Sequence, residues 1–134
     1  MKSLGEELKA IADKVINDRD QAQELMESEL RGLFFDFLND WIRDSGDPRM
    51  RDAANNGERK IEFFVSEPFG EQEQELQTKA DPVVSRYKGK INRLMIFGFQ
   101  KDAWKHWADN NNLHIYFPYD CGEAVEEEEV IISW

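Results

Sequence analysis

At 134 residues, with 40% apolar and 34% charged side chains and a net charge of −11, the chain has the length of one domain and enough apolar mass for a core. Nine Phe, four Trp and three Tyr exclude a disordered composition, in spite of a mean hydropathy of −0.71. No apolar run approaches the roughly 18 residues of a membrane span, no signal-like apolar stretch follows Met1, and the one cysteine, Cys121, has no internal disulfide partner, so a reducing cytoplasmic setting is expected.

Residues 1–44 read as helical. Leu4, Leu8, Ile11 and Val15 recur at spacings of four, three and four, which puts them on one face. The pattern lapses through Asn17–Gln21 and resumes over a wider arc at Ala22, Met26, Leu30, Leu33, Phe34, Phe37, Leu38, Trp41 and Ile42. The lapse predicts either a helical pair or one long bent helix. The Gly46 and Pro48 of Asp44-Ser45-Gly46-Asp47-Pro48 are stop signals, so residues 45–58 are expected as loop. Lys60–Val65 is expected as a strand. Residues 67–82 are too polar for core and suggest a loop or a short surface helix. Ile91–Phe99 is expected as an internal strand, 101–111 as a short helix, and 113–117 and 130–134 as the last strands. Helices first and strands after predict an α+β fold. It is a single acidic domain over 1–134, with 1–44 packed on a mainly antiparallel sheet of three to five strands in a strand-rich half from 59 to 134.

Catalytic ingredients are sparse. Cys121, His106 and His114 are the only thiol and imidazoles, too few for structural zinc, and no sequence spacing joins a nucleophile to a base. No calcium-loop or phosphate-loop pattern occurs either. Neither an enzyme nor a metal or other cofactor is expected.

Charge carries more information. Residues 83–112 hold six Lys or Arg against two Asp, a basic island of net +4 in an otherwise acidic chain. Arg86, Tyr87, Lys88, Lys90 and Arg93, followed by Lys101, Trp104, Lys105 and Trp107, alternate cations with aromatics. Cations neutralise phosphates and exposed aromatics stack on single-stranded bases. The acids form rows: Asp20, Glu24 and Glu27, then Asp36, Asp40 and Asp44, each at one-turn spacings on a helix. Glu126, Glu127, Glu128 and Glu129 form a run that should stay solvated. The acidic end closing on Trp134 resembles the tails of some phage and bacterial single-strand-binding proteins, a likeness that implies partner recruitment.

Two functional readings follow. The first is a small acidic protein that occludes a basic, nucleic-acid-handling surface on a protein partner, as a DNA-mimicking inhibitor of a phage or mobile element or an immunity protein or antitoxin would. Complementary charge would speed its association. The alternative is a single-stranded nucleic-acid binder using 86–107 with an acidic C-terminal region; only under this reading is nucleic acid a partner. No membrane partner is expected. The apolar stripe of the N-terminal helices adds a third possibility, a homodimer.

Overall fold

The computed structural model describes residues 3–118 and 128–134. Among them the chain runs through α1 (Leu4–Trp41), a π-helical turn (Ile42–Gly46), α2 (Asp47–Asn55), β1 (Lys60–Phe64), α3 (Glu67–Gly70), α4 (Glu73–Tyr87), α5 (Arg93–Asn110), β2 (His114–Tyr116) and β3 (Glu129–Ser133). The class is α+β, with a three-stranded antiparallel sheet in the order β1-β3-β2. No helix among the described residues is long and apolar enough to cross a membrane.

The N-terminal region is one helix, not a pair. Ser3 caps it by accepting from the Glu6 N–H at 3.3 Å, and it continues for 38 residues. Asn17–Gln21 contains neither Gly nor Pro. Its Asn and Asp each cost the ladder only some tenths of a kcal/mol, too little to end it. The helical path then passes through the π turn, where the Asp47 N–H reaches back to the Ile42 carbonyl, and on into α2. The expected loop at 45–58 is therefore helical as far as Asn55. Proline inside a helix cannot donate, and its ring clashes with the carbonyl four residues back. The wider π turn just before Pro48 relieves that clash. Gly46 serves contact and not termination: a Cβ there would lie 3.0 Å from the Trp41 ring.

Ile91–Phe99 is the second correction. From Arg93 on it belongs to α5, which Asn92 caps by accepting from the Met95 N–H at 2.9 Å. A short apolar run reads alike as buried strand or buried helix. Fused with 101–111, it makes an 18-residue helix that buries Phe99, Ala103, Trp104 and Trp107 and leaves Leu94 exposed. The polar stretch from 67 to 82 is helical too, as α3 and most of α4, with Leu76 buried and Pro82 inside the helix.

The core lies where the C-terminal half of α1 meets α5 and the inner face of the sheet. Met26, Leu30, Phe34, Phe37, Leu38 and Trp41 are buried along α1. β3 is the central strand. Its inward residues Val130 and Ile132 are buried and stand opposite Phe63 and Ile61 of β1, and Ile132 also faces Ile115 of β2. Phe63 stacks on Trp104 at 5.6 Å and meets the edge of Trp41 at 5.5 Å. Both indoles also have polar partners, the Trp104 N–H donating to the Val65 carbonyl at 3.0 Å and the Trp41 N–H to Glu71 at 2.6 Å. A buried ring with its N–H satisfied loses nothing by burial.

Candidate partner-binding surface

The first half of α1 stands apart from this core. Residues 3–21 are exposed throughout, and Met26 is the first buried position of the helix. Leu4, Leu8, Ile11 and Val15 are 70, 56, 62 and 42% exposed, and Leu25 farther along is 56% exposed. Ala22 lies between them at the same spacing. The apolar series is therefore continuous from 4 to 25 at a mean period of 3.5 residues, interrupted only by Asp18. Spacings of three and four alone end this series at Val15. The signal that carries it on is the heptad: Ala22 follows Val15 by one repeat and Leu25 follows Ile11 by two.

Asp20 and Glu24 are exposed on this same stretch and Glu27 is half-buried. None of the three makes an ion pair among the described residues. Asp13, not singled out in the sequence, lies seven residues before Asp20, and Glu27 lies seven after it. In a heptad these three positions face directly away from the apolar seam. The N-terminal half of α1 thus carries two features on opposite sides, a narrow apolar seam and a row of unpaired carboxylates.

The second acidic row is different. Asp36 is exposed, but Arg43 lies 3.5 Å from Asp40 and 3.2 Å from Asp44. The hydrogen bond to Asp44, followed by the charges of Asp44 and Asp40, pushes the Arg43 pKa further up and keeps the guanidinium charged. Asp44 also falls within the π turn, whose extra residue rotates it out of the line set by Asp36 and Asp40. This row is bent and partly neutralised.

At the C-terminal end, Glu126 and Glu127 lie outside the described residues, as does Cys121. Glu128 was expected to be solvated and is not: it is 3% exposed, with the Lys101 ammonium 2.7 Å from its carboxylate. Glu129 is half-buried at the start of β3, opposite Phe64. The last residues are the central strand of the sheet and not a free tail, so they are engaged in pairing and cannot act as a loose recruitment segment.

Most of the basic island is also engaged. Arg86 bonds Glu29 at 3.2 Å and the Tyr87 hydroxyl donates to the same carboxylate at 2.6 Å. That bond, with burial and the Glu29 charge behind it, raises the Tyr87 pKa above its ordinary value. Lys88 ends α4 in a left-handed conformation with φ 49°. Gln23 then clamps the Lys90 backbone from both sides, donating to its carbonyl at 2.8 Å and accepting from its N–H at 2.9 Å. Gly89 between them lies against α1 so closely that a Cβ would run into the Met26 sulfur. The side chains of Lys88 and Lys90 remain exposed. Arg93 lies 5.6 Å from the Phe97 ring, and Lys101 and Lys105 each lie 5.6 Å from that of Phe117. Trp104 and Trp107, the stacking platforms of the alternative reading, are 0 and 6% exposed and belong to the core. Their three-residue spacing on α5 turns both towards α1 and the sheet.

A groove of about 490 Å³ opens beside Phe34, Phe69, Leu76, Ala80 and Ile96, with Gln100 among its lining residues and the exposed acids Glu73 and Asp81 along it. The Gln100 side-chain carbonyl is buried and has no hydrogen-bond partner among the described residues. Among the described residues no three His, Cys, Asp or Glu side chains gather where they could hold a metal ion.

No family model matches the chain, and searches of curated proteins and of solved structures find no match either.

Proposed function

We propose that this protein is a small acidic protein-binding module that occludes a basic surface of a protein partner, in the manner of a DNA-mimicking inhibitor or an immunity protein. The reading is carried by one observation: Asp13, Asp20 and Glu24 are exposed and Glu27 half-buried along one helix, and none of the four makes an ion pair among the described residues. Fixed negative charges at regular intervals on a rigid rod resemble a phosphate backbone and steer a basic groove towards them. Charge of this sort acts on the encounter more than on the lifetime of the complex.

The nucleic-acid alternative is less well supported, because Trp104 and Trp107 belong to the core and Arg86 and Lys101 lie against Glu29 and Glu128. Lys88, Lys90, Arg93 and Lys105 keep exposed side chains, but an acidic chain around them weakens the basic stripe that such binders carry.

The test uses tagged full-length protein as bait in lysate of the source cell, beside a variant with Asp20→Lys, Glu24→Lys and Glu27→Lys. The expected result is a basic protein captured by the native chain and lost by the variant. Its association rate with purified bait should fall as salt rises through about 0.15 M, where exposed charges are screened beyond roughly 8 Å. Identical capture by both baits would sink the proposal. A fluorescent oligonucleotide that binds the native chain, but not a Lys88→Glu, Lys90→Glu variant, would favour the alternative.

A further inference from the structure

The apolar seam of α1 requires a separate explanation, because a carboxylate row needs none. Leu4, Leu8, Ile11, Val15, Ala22 and Leu25 occupy alternating three- and four-residue steps, with Asp18 in the remaining position. In heptad terms Leu8, Val15 and Ala22 are a positions, and Leu4, Ile11, Asp18 and Leu25 are d positions. The a/d seam, sustained over three heptads with Ile16 exposed beside it at a b position, has the period that one partner helix matches. Among the described residues nothing covers 3–21 of this helix, which are exposed throughout, and only Ala22 and Gln23 are half-buried beside the Lys88–Lys90 loop.

Charge selects both the partner and its direction. Lys14 is a g position and Arg19 an e position. A parallel pair would set Lys14 beside Arg19 of the second helix and Asp18 against Asp18, two like-charge contacts in or beside the seam. An antiparallel pair that sets Leu8 opposite Leu25 also sets Ile11 opposite Ala22 and Val15 opposite Asp18. Lys14 then borders the hole that receives Asp18 and supplies the counter-charge, twice by symmetry. A second copy of this chain therefore complements the seam from Leu8 to Leu25 in its apolar pairing and in charge.

We infer that the protein is a homodimer joined by an antiparallel coiled coil of residues 8–25, with the two bodies at opposite ends of the rod. Asp13, Asp20 and Glu27 face outward in this arrangement, so each dimer carries two carboxylate rows. The inference stands whether or not those rows bind a partner.

Sedimentation equilibrium of the full chain tests it. The expected mass is twice that of the 15.8 kDa chain. Ile11→Glu is expected to give a monomer with unchanged tryptophan fluorescence, because Ile11 lies outside the core in which Trp41, Trp104 and Trp107 are buried. Lys14→Glu separates the two directions. In the antiparallel pair it opposes Asp18 with a like charge and raises the dissociation constant about tenfold or more. In a parallel pair it would turn the clash with Arg19 into an attraction and lower that constant. Lys14→Glu combined with Asp18→Lys should restore the native affinity. A monomeric native protein at concentrations well above micromolar, a dimer that survives Ile11→Glu, or a tighter dimer with Lys14→Glu would each overturn the inference.

Discussion

The two halves of α1 share one backbone and differ in what covers them. From Met26 to Trp41 the apolar residues spread over a wide arc, Leu33 and Phe35 flanking the buried Leu30, Phe34, Phe37 and Leu38. From Leu4 to Leu25 they keep chiefly to one line with Ile16 beside it, and the large ones stay exposed. A wide arc is what a helix needs to lie on a sheet and another helix together; a narrow line is enough for one neighbour. Width, more than hydrophobicity, distinguishes the half that builds the body from the half that reaches beyond it.

The sharpest way to break this comparison is to truncate one apolar residue in each half. Phe37→Ala should cost about 3–5 kcal/mol, the usual range for removing a buried phenyl ring. Leu8→Ala, placed in the monomeric Ile11→Glu background, should change stability by no more than about 0.5 kcal/mol, as exposed substitutions do. Urea denaturation followed by tryptophan fluorescence measures both. Similar losses at the two sites would mean that the N-terminal half packs on the body after all.

Much of this division was legible in the sequence. The arc from Leu30 to Trp41 and the strands at 60–64, 114–116 and 129–133 follow from periodicity, β-branched content and turn residues. What was not legible depended on competition between signals. Pro48 and Gly46 carry the marks of a helix end, but the π turn absorbs the proline and Gly46 is needed for contact with Trp41. Leu94–Phe99 has strand composition, and in the structure the Asn92 cap starts the helix ahead of it. The candidate site was half readable: the Asp20–Glu27 row follows from spacing, whereas the pairing of Glu128 with Lys101 joins residues far apart in sequence. Composition cannot tell a solvated glutamate from a buried one when its counter-ion arrives from another element.

A smaller effect sharpens the boundary between the halves, which lies where the Lys88–Lys90 loop meets α1. Gly89→Ala would press a methyl group onto the Met26 sulfur and to within 2.9 Å of the Gln23 oxygen. Met26 is buried and can yield only partly, so a loss of about 1–3 kcal/mol is expected. Gly32 is the control, because a Cβ there meets nothing within 4 Å. Gly32→Ala should stabilise the helix by up to about 1 kcal/mol, since glycine is the poorer helix former by that margin. Paired thermal melts read both changes. If Gly89→Ala melts like the native chain, the loop is not held where the Gln23 clamp puts it.

The smallest expected effect is at Glu29, the last anchor before the core takes over. Its carboxylate accepts from both Arg86 and the Tyr87 hydroxyl. The Tyr87 bond requires the phenol proton, which is why the folded chain holds that proton above the ordinary tyrosine pKa. A group whose pKa is higher folded than unfolded adds stability that is fully present below the unfolded value, near 10, and is lost as pH rises through the folded value. Tyr87→Phe should therefore destabilise the protein slightly at neutral pH. The gap between native and variant should then close in strongly alkaline solution, once the native phenol ionises beside the Glu29 carboxylate. Comparing urea midpoints at neutral pH and at about pH 11 measures the closure. A gap of constant size across that range would show that the hydroxyl contributes packing alone, and that Arg86 by itself ties the end of α4 to the middle of α1.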